Sequence, residues 1–205
     1  MYSQHDEEKH ILEWFKYDDG AKAIPHGRYL DIGAWTGLEL SNTRRLAELG
    51  WSGVAVEPAA GPFRKLMENY RHLPLIELVC AALCSGDTHS IADFRQSDDA
   101  ISAFATSEHH LAKWGKVTGF QKTFVIAIPH AEFFAKFPPP FDFVNIDTEG
   151  ANWDIVEGFP FQLIGASLVC VEVDDKREEM KAVVRGHGFT EVVYESAENL
   201  IVGKS

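Results

Sequence analysis

The chain has 205 residues, of which 45% are apolar and 12% aromatic, enough for a packed core and too many for a disordered polypeptide. Its 31 acidic side chains outweigh 19 basic ones and give a formal charge of −12. That charge repels phosphate backbones and excludes sequence-independent nucleic-acid binding as a general activity.

Met1 to Glu8 is polar and acidic, with neither the basic start nor the apolar stretch of a signal peptide. No run reaches the roughly 18 apolar residues of a membrane span, so a cytoplasmic protein without a membrane partner is expected. Residues 5–17 carry Ile11, Leu12, Trp14 and Phe15 among charges, which predicts a short amphipathic helix in an N-terminal extension over 1–27. Residues 28–32 read as a strand that ends in the small-residue turn from Gly33 to Gly37. A helix is predicted over 37–49, a strand over 51–56 closed by Glu57-Pro58, a helix over 60–72 and a strand over 75–82. Cys80, Cys84 and Cys170 form no Cys-x-x-Cys pair and read as reduced thiols rather than zinc ligands. Residues 95–120 break the rhythm as a polar, irregular insert, the position of a substrate loop or of a solvated excursion. The alternation resumes with a strand at 124–128, a helix at 129–137 and the stiff Pro138-Pro139-Pro140 connector. A strand at 141–146 ends at Asp147, followed by a helix over 150–157, a strand at 167–173 and a helix over 175–186. Residues 189–194 and 199–202 flank a turn and predict a closing antiparallel pair. The whole reads as one α/β domain over 1–205, a doubly wound and mostly parallel sheet.

In such a sheet, ligands bind beyond the carboxyl ends of the strands. Gly33 and Gly37 let the backbone approach a ligand, and the turn N–H groups of Gly33, Ala34 and their neighbours can receive an anion. Glu57 follows Gly37 by 20 residues, the distance at which an acid reaches the hydroxyls of an adenosine ribose. Alternatively the two glycines only make a tight strand-to-helix turn. A dinucleotide site needs a second glycine where Trp35 stands, and the indole blocks that position. A turn of form G-x-x-x-G preceded by Asp31 suits S-adenosylmethionine, with Asp31 near its ammonium or sulfonium charge and the turn N–H groups on its carboxylate.

Three segments then carry a resemblance. Tyr29-Leu-Asp-Ile-Gly-Ala-Trp-Thr-Gly37, Val54-Ala-Val-Glu-Pro58 and Phe143-Val-Asn-Ile-Asp-Thr-Glu-Gly150 resemble successive motifs of the FkbM family of methyltransferases. Val169-Cys-Val-Glu-Val173 is similar to that family's last parallel strand, so the resemblance spans residues 28–203. It implies a class I methyltransferase fold, a Rossmann-like seven-stranded sheet with an antiparallel last strand, and transfer to a hydroxyl oxygen. By matching positions, Asp31, Gly33 and Gly37 line the methionine end, Glu57 the ribose and Ala82 the adenine, with Asp87 a further adenine candidate. Trp35-Thr36 and Asn152-Trp153 depart from the family's usual residues and leave the substrate open.

A second acidic cluster faces the same edge. Asp147-Thr148-Glu149 follows one strand, and Glu172-Val173-Asp174-Asp175 follows its expected neighbour. Such carboxylates can hold an oxygen-loving ion such as Mg²⁺, with Asp147, Asp174 and Asp175 as ligands. Alternatively Asp147, assisted by Glu149, takes the proton of an acceptor hydroxyl. Glu149 can also simply serve the macrodipole of the following helix, and Asp174-Asp175 can cap one. His109-His110 reads either as a solvated loop pair or as an acid–base pair. Trp35 and Trp153 are each either stacking or packing residues. The expected reaction is methylation of a small-molecule or saccharide acceptor, with no nucleic-acid partner. The competing readings are a nicotinamide-dependent oxidoreductase and a cofactor-binding module without catalysis.

Overall fold

Apolar residues fill both faces of the central strands, as a sheet covered by helices on each side demands. In a computed structural model, which describes residues 1–16, 26–97, 102–104, 112, 115, 119–173 and 176–204, these strands sit side by side. β1 (Arg28–Ile32), β2 (Ser52–Val56) and β3 (Ile76–Val79) pair in parallel. β1 also pairs in parallel with β8 (Phe143–Ile146), and β8 with β9 (Leu168–Glu172). β11 (Asn199–Lys204) runs antiparallel between β9 and β10 (Phe189–Glu195), giving the order β10-β11-β9-β8-β1-β2-β3. The expected sheet, with its antiparallel last strand, is therefore the one observed.

The period-two alternation of each strand divides the apolar residues between two cores. Leu30, Ile32, Val54, Val144, Ile146 and Val169 point to one face. There they meet Phe133 of α4 (His130–Lys136), Val156 of α5 (Asn152–Gly158), Ile164 of α6 (Phe161–Ile164) and Met180 and Val184 of α7 (Arg177–Gly186). Tyr29, Ala55, Phe143 and Cys170 point to the other face. They pack against Ile11 of α1 (Glu7–Trp14), Leu46 of α2 (Arg44–Glu48), Leu66 and Tyr70 of α3 (Ala60–Tyr70), and Phe15 and Trp51. Each such fully buried side chain contributes roughly 1.5–3 kcal/mol of transfer free energy.

The structure departs from the sequence expectations in three places. The helix predicted over 37–49 is only α2, because Ser41 Oγ accepts the Arg44 N–H at 3.1 Å and starts the helix late, while Leu40 takes φ +58°. The strand predicted to run to residue 82 ends at Val79; its apolar run continues through the bend, so composition does not mark the break. Ala82–Cys84 begins instead a second sheet as β4, parallel to β7 (Gln121–Pro129). β5 (Ser90–Gln96) pairs antiparallel with β7, and β6 (Ala103–Phe104) with β5, so the expected irregular insert is in part sheet.

Candidate active site

From β1 the chain winds outward through β2 and β3 on one side, and β8 and β9 lie on the other. β1 and β8 thus bound the switch point, where loops diverge and a crevice opens beyond the strand ends. A crevice partly open to solvent lies there, enclosing about 980 Å³ of non-protein space with the open solvent included. The second sheet walls one side through Leu83, Phe94 and the adjoining Ser102, and Gln4 of the N-terminal segment reaches the lining.

The floor is set by Gly33. It has φ +92°, and a Cβ built on it would stand 1.6 Å from the carbonyl oxygen of Asp147. The Asp147 N–H in turn donates to the Ile32 carbonyl at 2.8 Å. Only glycine allows the ends of β1 and β8 to meet this closely. Next to it, Asp31 is 2% exposed and accepts hydrogen bonds from Thr43 Oγ1 at 2.6 Å and Asn145 Nδ2 at 2.9 Å. Burial pushes its carboxyl up, and those two donors pull it back. Asn145 Oδ1 then accepts from Asn42 Nδ2 at 3.1 Å, so a chain of buried polar groups runs from Asp31 along the cavity wall.

Across the cavity, the carboxylate of Glu57 accepts the backbone N–H of Trp35 at 2.9 Å and of Ala59 at 2.6 Å, one on each oxygen. Each oxygen retains a second lone pair, so the group can still accept two hydroxyl donors. Glu57 is 6% exposed, and burial raises its carboxyl to about 7 against the pull of the two N–H groups. Trp35, at φ +46°, is one of the lining residues, and its buried indole Nε1 has no hydrogen-bond partner.

At the third corner, one carboxylate oxygen from each of Asp147, Glu149 and Glu172 lies within 4.8 Å of the others. Burial, and then the charges of Glu172 and Glu149, hold the Asp147 carboxyl well above the usual range. Asn152 braces the corner: its Oδ1 accepts the Thr148 N–H at 2.7 Å, and its Nδ2 donates to Glu172 Oε2 at 2.6 Å.

Among the residues expected from sequence, Asp31, Gly33, Ala34, Glu57, Ala82, Asp147 and Glu149 all line this one cavity. Gly37 is not on the lining; it packs under α3, where a Cβ would come within 2.4 Å of Leu66 and 2.3 Å of Tyr70. Asp87 is exposed and also off the lining. Asp174, Asp175, His109 and His110 lie outside the described residues. Trp153 packs against the core with Lys176 over its ring at 4.6 Å. Sequence reasoning did not single out Asn42 or Asn145. Asn145 left a signal, a lone amide inside the apolar strand Phe-Val-Asn-Ile, and Asn42 left none. No helix among the described residues is long and apolar enough to cross a membrane.

The comparisons with known proteins bear on this geometry. Residues 31–194 match the family model described as the methyltransferase FkbM domain. No curated protein matches the sequence significantly. The N-terminal domain of human METTL16 superposes with a TM-score of 0.52 at 16% identity, over 95% of this chain and 66% of that one. The same domain solved in complex with SAH gives 0.52 at 15%, over 95% and 67%. The human methyltransferase 10 domain containing protein gives 0.53 at 13%, over 100% and 84%. Methyltransferase FkbM from Methylobacillus flagellatus gives 0.49 at 10%, over 87% of this chain and 44% of that one. The chain thus spans about two thirds of the length of METTL16's domain and less than half of the Methylobacillus protein.

Proposed function

The chain belongs to the FkbM methyltransferase family, and from that premise we propose that it transfers the methyl group of S-adenosylmethionine to a hydroxyl oxygen of a small-molecule or saccharide acceptor. The observation that carries the reading is one cavity at the switch point of the sheet, lined both by Glu57, which follows β2, and by Asp147, which follows β8 on the other side of β1. The residues present fit the cofactor. Glu57 offers lone pairs to a ribose diol, and Ala82 leaves room for a flat base beside the second sheet. The Gly33 turn brings backbone N–H groups close, and Asp31 supplies negative charge toward a cationic end. METTL16, a relative in fold, has been solved with SAH, the product such a transfer leaves. A dinucleotide is disfavoured because Trp35 fills the place of the second glycine and lines the cavity.

S-adenosylmethionine held by the Gly33 turn, Asp31 and Glu57 would supply an electrophilic methyl carbon on a cationic sulfur. The protein's task is to align the acceptor and remove its proton. Asp147 takes that proton once it is itself ionised: burial and the neighbouring acids raise its carboxyl, so the ionised form is a stronger base than an ordinary aspartate but is populated only as the pH rises. Thr148, Asn152 and Glu172 hold the corner in place through the hydrogen bonds of Asn152. The acid-rich lining favours neutral, hydroxyl-bearing acceptors over anionic ones.

The test pairs calorimetry with a turnover assay. Wild-type protein is expected to bind S-adenosylhomocysteine and to release it on incubation with S-adenosylmethionine and a polyol or sugar panel. Asp147→Ala is expected to keep binding and lose at least about a hundredfold in turnover, the usual weight of a general base. Full turnover in that variant rejects the base, and absence of nucleoside binding in wild type rejects the reading.

A further inference from the structure

Burial along the lining shows where the crevice opens. Of its described lining residues, only Gln4, Glu39 and Leu40 are exposed, and the others are buried or half-buried. A side chain that lines a crevice and also meets solvent stands where a ligand enters, so these three mark the rim. Glu39 and Leu40 belong to the turn between β1 and α2. Gln4 comes from the segment that precedes α1.

That segment is tied down on both sides, and the Gln4 side chain takes no part in the tying. The Tyr2 N–H donates to Glu8 Oε2 at 2.8 Å, and the Tyr2 hydroxyl donates to Glu48 of α2 at 2.7 Å. Ser3 Oγ accepts the Glu8 N–H at 3.1 Å and donates to the His5 carbonyl at 2.9 Å. The His5 ring meets Glu198 at 2.8 Å, and the His5 N–H donates to Glu7 Oε2 at 2.7 Å. Glu7 is fully buried, and its other oxygen accepts Asn199 Nδ2 at 3.0 Å. Of residues 2–5, Gln4 alone makes no side-chain hydrogen bond with the described residues. Its amide therefore keeps two donor hydrogens and an acceptor oxygen for a ligand.

The same bonds fix which end of the site it serves. The peptide that joins Gln4 to His5 stands one carboxylate away from Asn199, and Asn199 pairs in register with Glu172 at the end of β9. Glu57 follows β2, and β2 lies four strand spacings from β11, about 19 Å. Gln4 thus stands on the β9 side of the rim. On the reading above, Glu57 and Ala82 take the nucleoside, which leaves the β9 side to the acceptor.

We propose that Gln4 is a specificity-determining residue whose amide hydrogen-bonds the hydroxyls of a neutral, polyhydroxylated acceptor at the rim. A hydroxyl both donates and accepts, which an amide can answer with one group and a carboxylate cannot. Leu40, 46% exposed at φ +58°, offers an apolar surface to the C–H face of the same molecule. Glu39 adds negative charge beside them and turns anionic acceptors away. This assignment rests on the methyltransferase reading.

The test uses Gln4→Ala, which removes an exposed side chain outside the hydrogen bonds that hold the segment. The probes are glycerol, myo-inositol and the common hexoses with their single-deoxy analogues, with S-adenosylmethionine as donor. For the best acceptor, KM is expected to rise about three- to tenfold with kcat within about twofold, the mark of a lost binding hydrogen bond. One deoxy analogue, lacking the hydroxyl that Gln4 contacts, is expected to show the same KM in both proteins. Affinity for S-adenosylhomocysteine by calorimetry is expected to stay within about twofold of wild type. An unchanged KM overturns the proposal, as does an equal rise for every analogue, which a merely structural role would give. No turnover of any probe by a wild-type protein that binds S-adenosylhomocysteine overturns it too, and leaves the cofactor site standing. Absence of nucleoside binding in wild type removes the methyltransferase reading and this assignment with it.

Discussion

Glu57 and Asp147 are chemically ordinary carboxylic acids whose surroundings set their behaviour. Burial raises Glu57 from 4.5 to about 7, so near neutrality the empty site holds it partly protonated. A ribose diol donates its hydrogen bonds to the ionised form. Affinity for S-adenosylhomocysteine is therefore expected to fall by about tenfold per pH unit below 7, as linkage to one proton requires. Calorimetry from pH 8 to 5.5 checks this, and a flat profile refutes it. The same shifts carry a stability prediction. Asp31, Glu57 and Asp147 all have folded values above their unfolded ones, so the native state holds protons that the unfolded chain has released. For Glu57 the stabilising contribution is complete below 4.5 and is lost as pH rises to about 7. Glu195, held low by its hydrogen bond from Lys181, works in the opposite sense but is exposed and screened. The melting temperature of the ligand-free protein is thus expected to fall between pH 5 and pH 8. A rise across that window contradicts it.

The elements around the site meet through single residues. β1 and β8 close on each other only because Gly33 has no Cβ. Gly33→Ala places an atom 1.6 Å from the Asp147 carbonyl at φ +92°, so the strand ends must separate. A loss of about 3 kcal/mol or more is expected from strain and clash, read as the shift in a urea unfolding midpoint. Asn145 ties β8 to β1 through Asp31 and to the segment before α2 through Asn42. Asn145→Ala leaves Asp31 with one side-chain donor in place of two, and should cost about 2 kcal/mol by the same measurement. The glycine and the following acid were legible in the sequence, because a strand-end turn dictates those residue types. Ser41 and Asn42 were not. They read as part of a helix, and only their hydrogen bonds to Arg44 and Asn145 show that the chain turns there first.

At the scale of the molecule, two features bear on the acceptor. The second sheet, β4-β7-β5-β6, stands beside the main one and walls the cavity with Phe94. The charge of −12 surrounds an acid-lined opening. Non-specific nucleic-acid binding is almost wholly a matter of counterion release by basic side chains. A fluorescent 20-nucleotide RNA is accordingly expected to show no binding at about 100 μM protein and 150 mM salt, weaker than the usual non-specific range. Tight, salt-sensitive binding by anisotropy would count against a small hydroxylated acceptor.

Sequence by itself determined the alternation of main-sheet strands with helices, the mostly parallel sheet with its closing antiparallel pair, and the residues at the strand ends. Hydrophobic period, turn residues and the spacing from Gly37 to Glu57 are local properties of the chain. The tertiary structure decided what no local pattern encodes. It brought Glu172 to Asp147 and Glu149, set Asn42 against Asn145 across 103 positions of sequence, and removed Gly37 from the lining. It also turned part of the expected insert into a second sheet. Contacts at long sequence separation depend on register and on how the loops leave the switch point. Those are fixed by packing on both faces of the sheet at once, and neither face can be read from one strand alone.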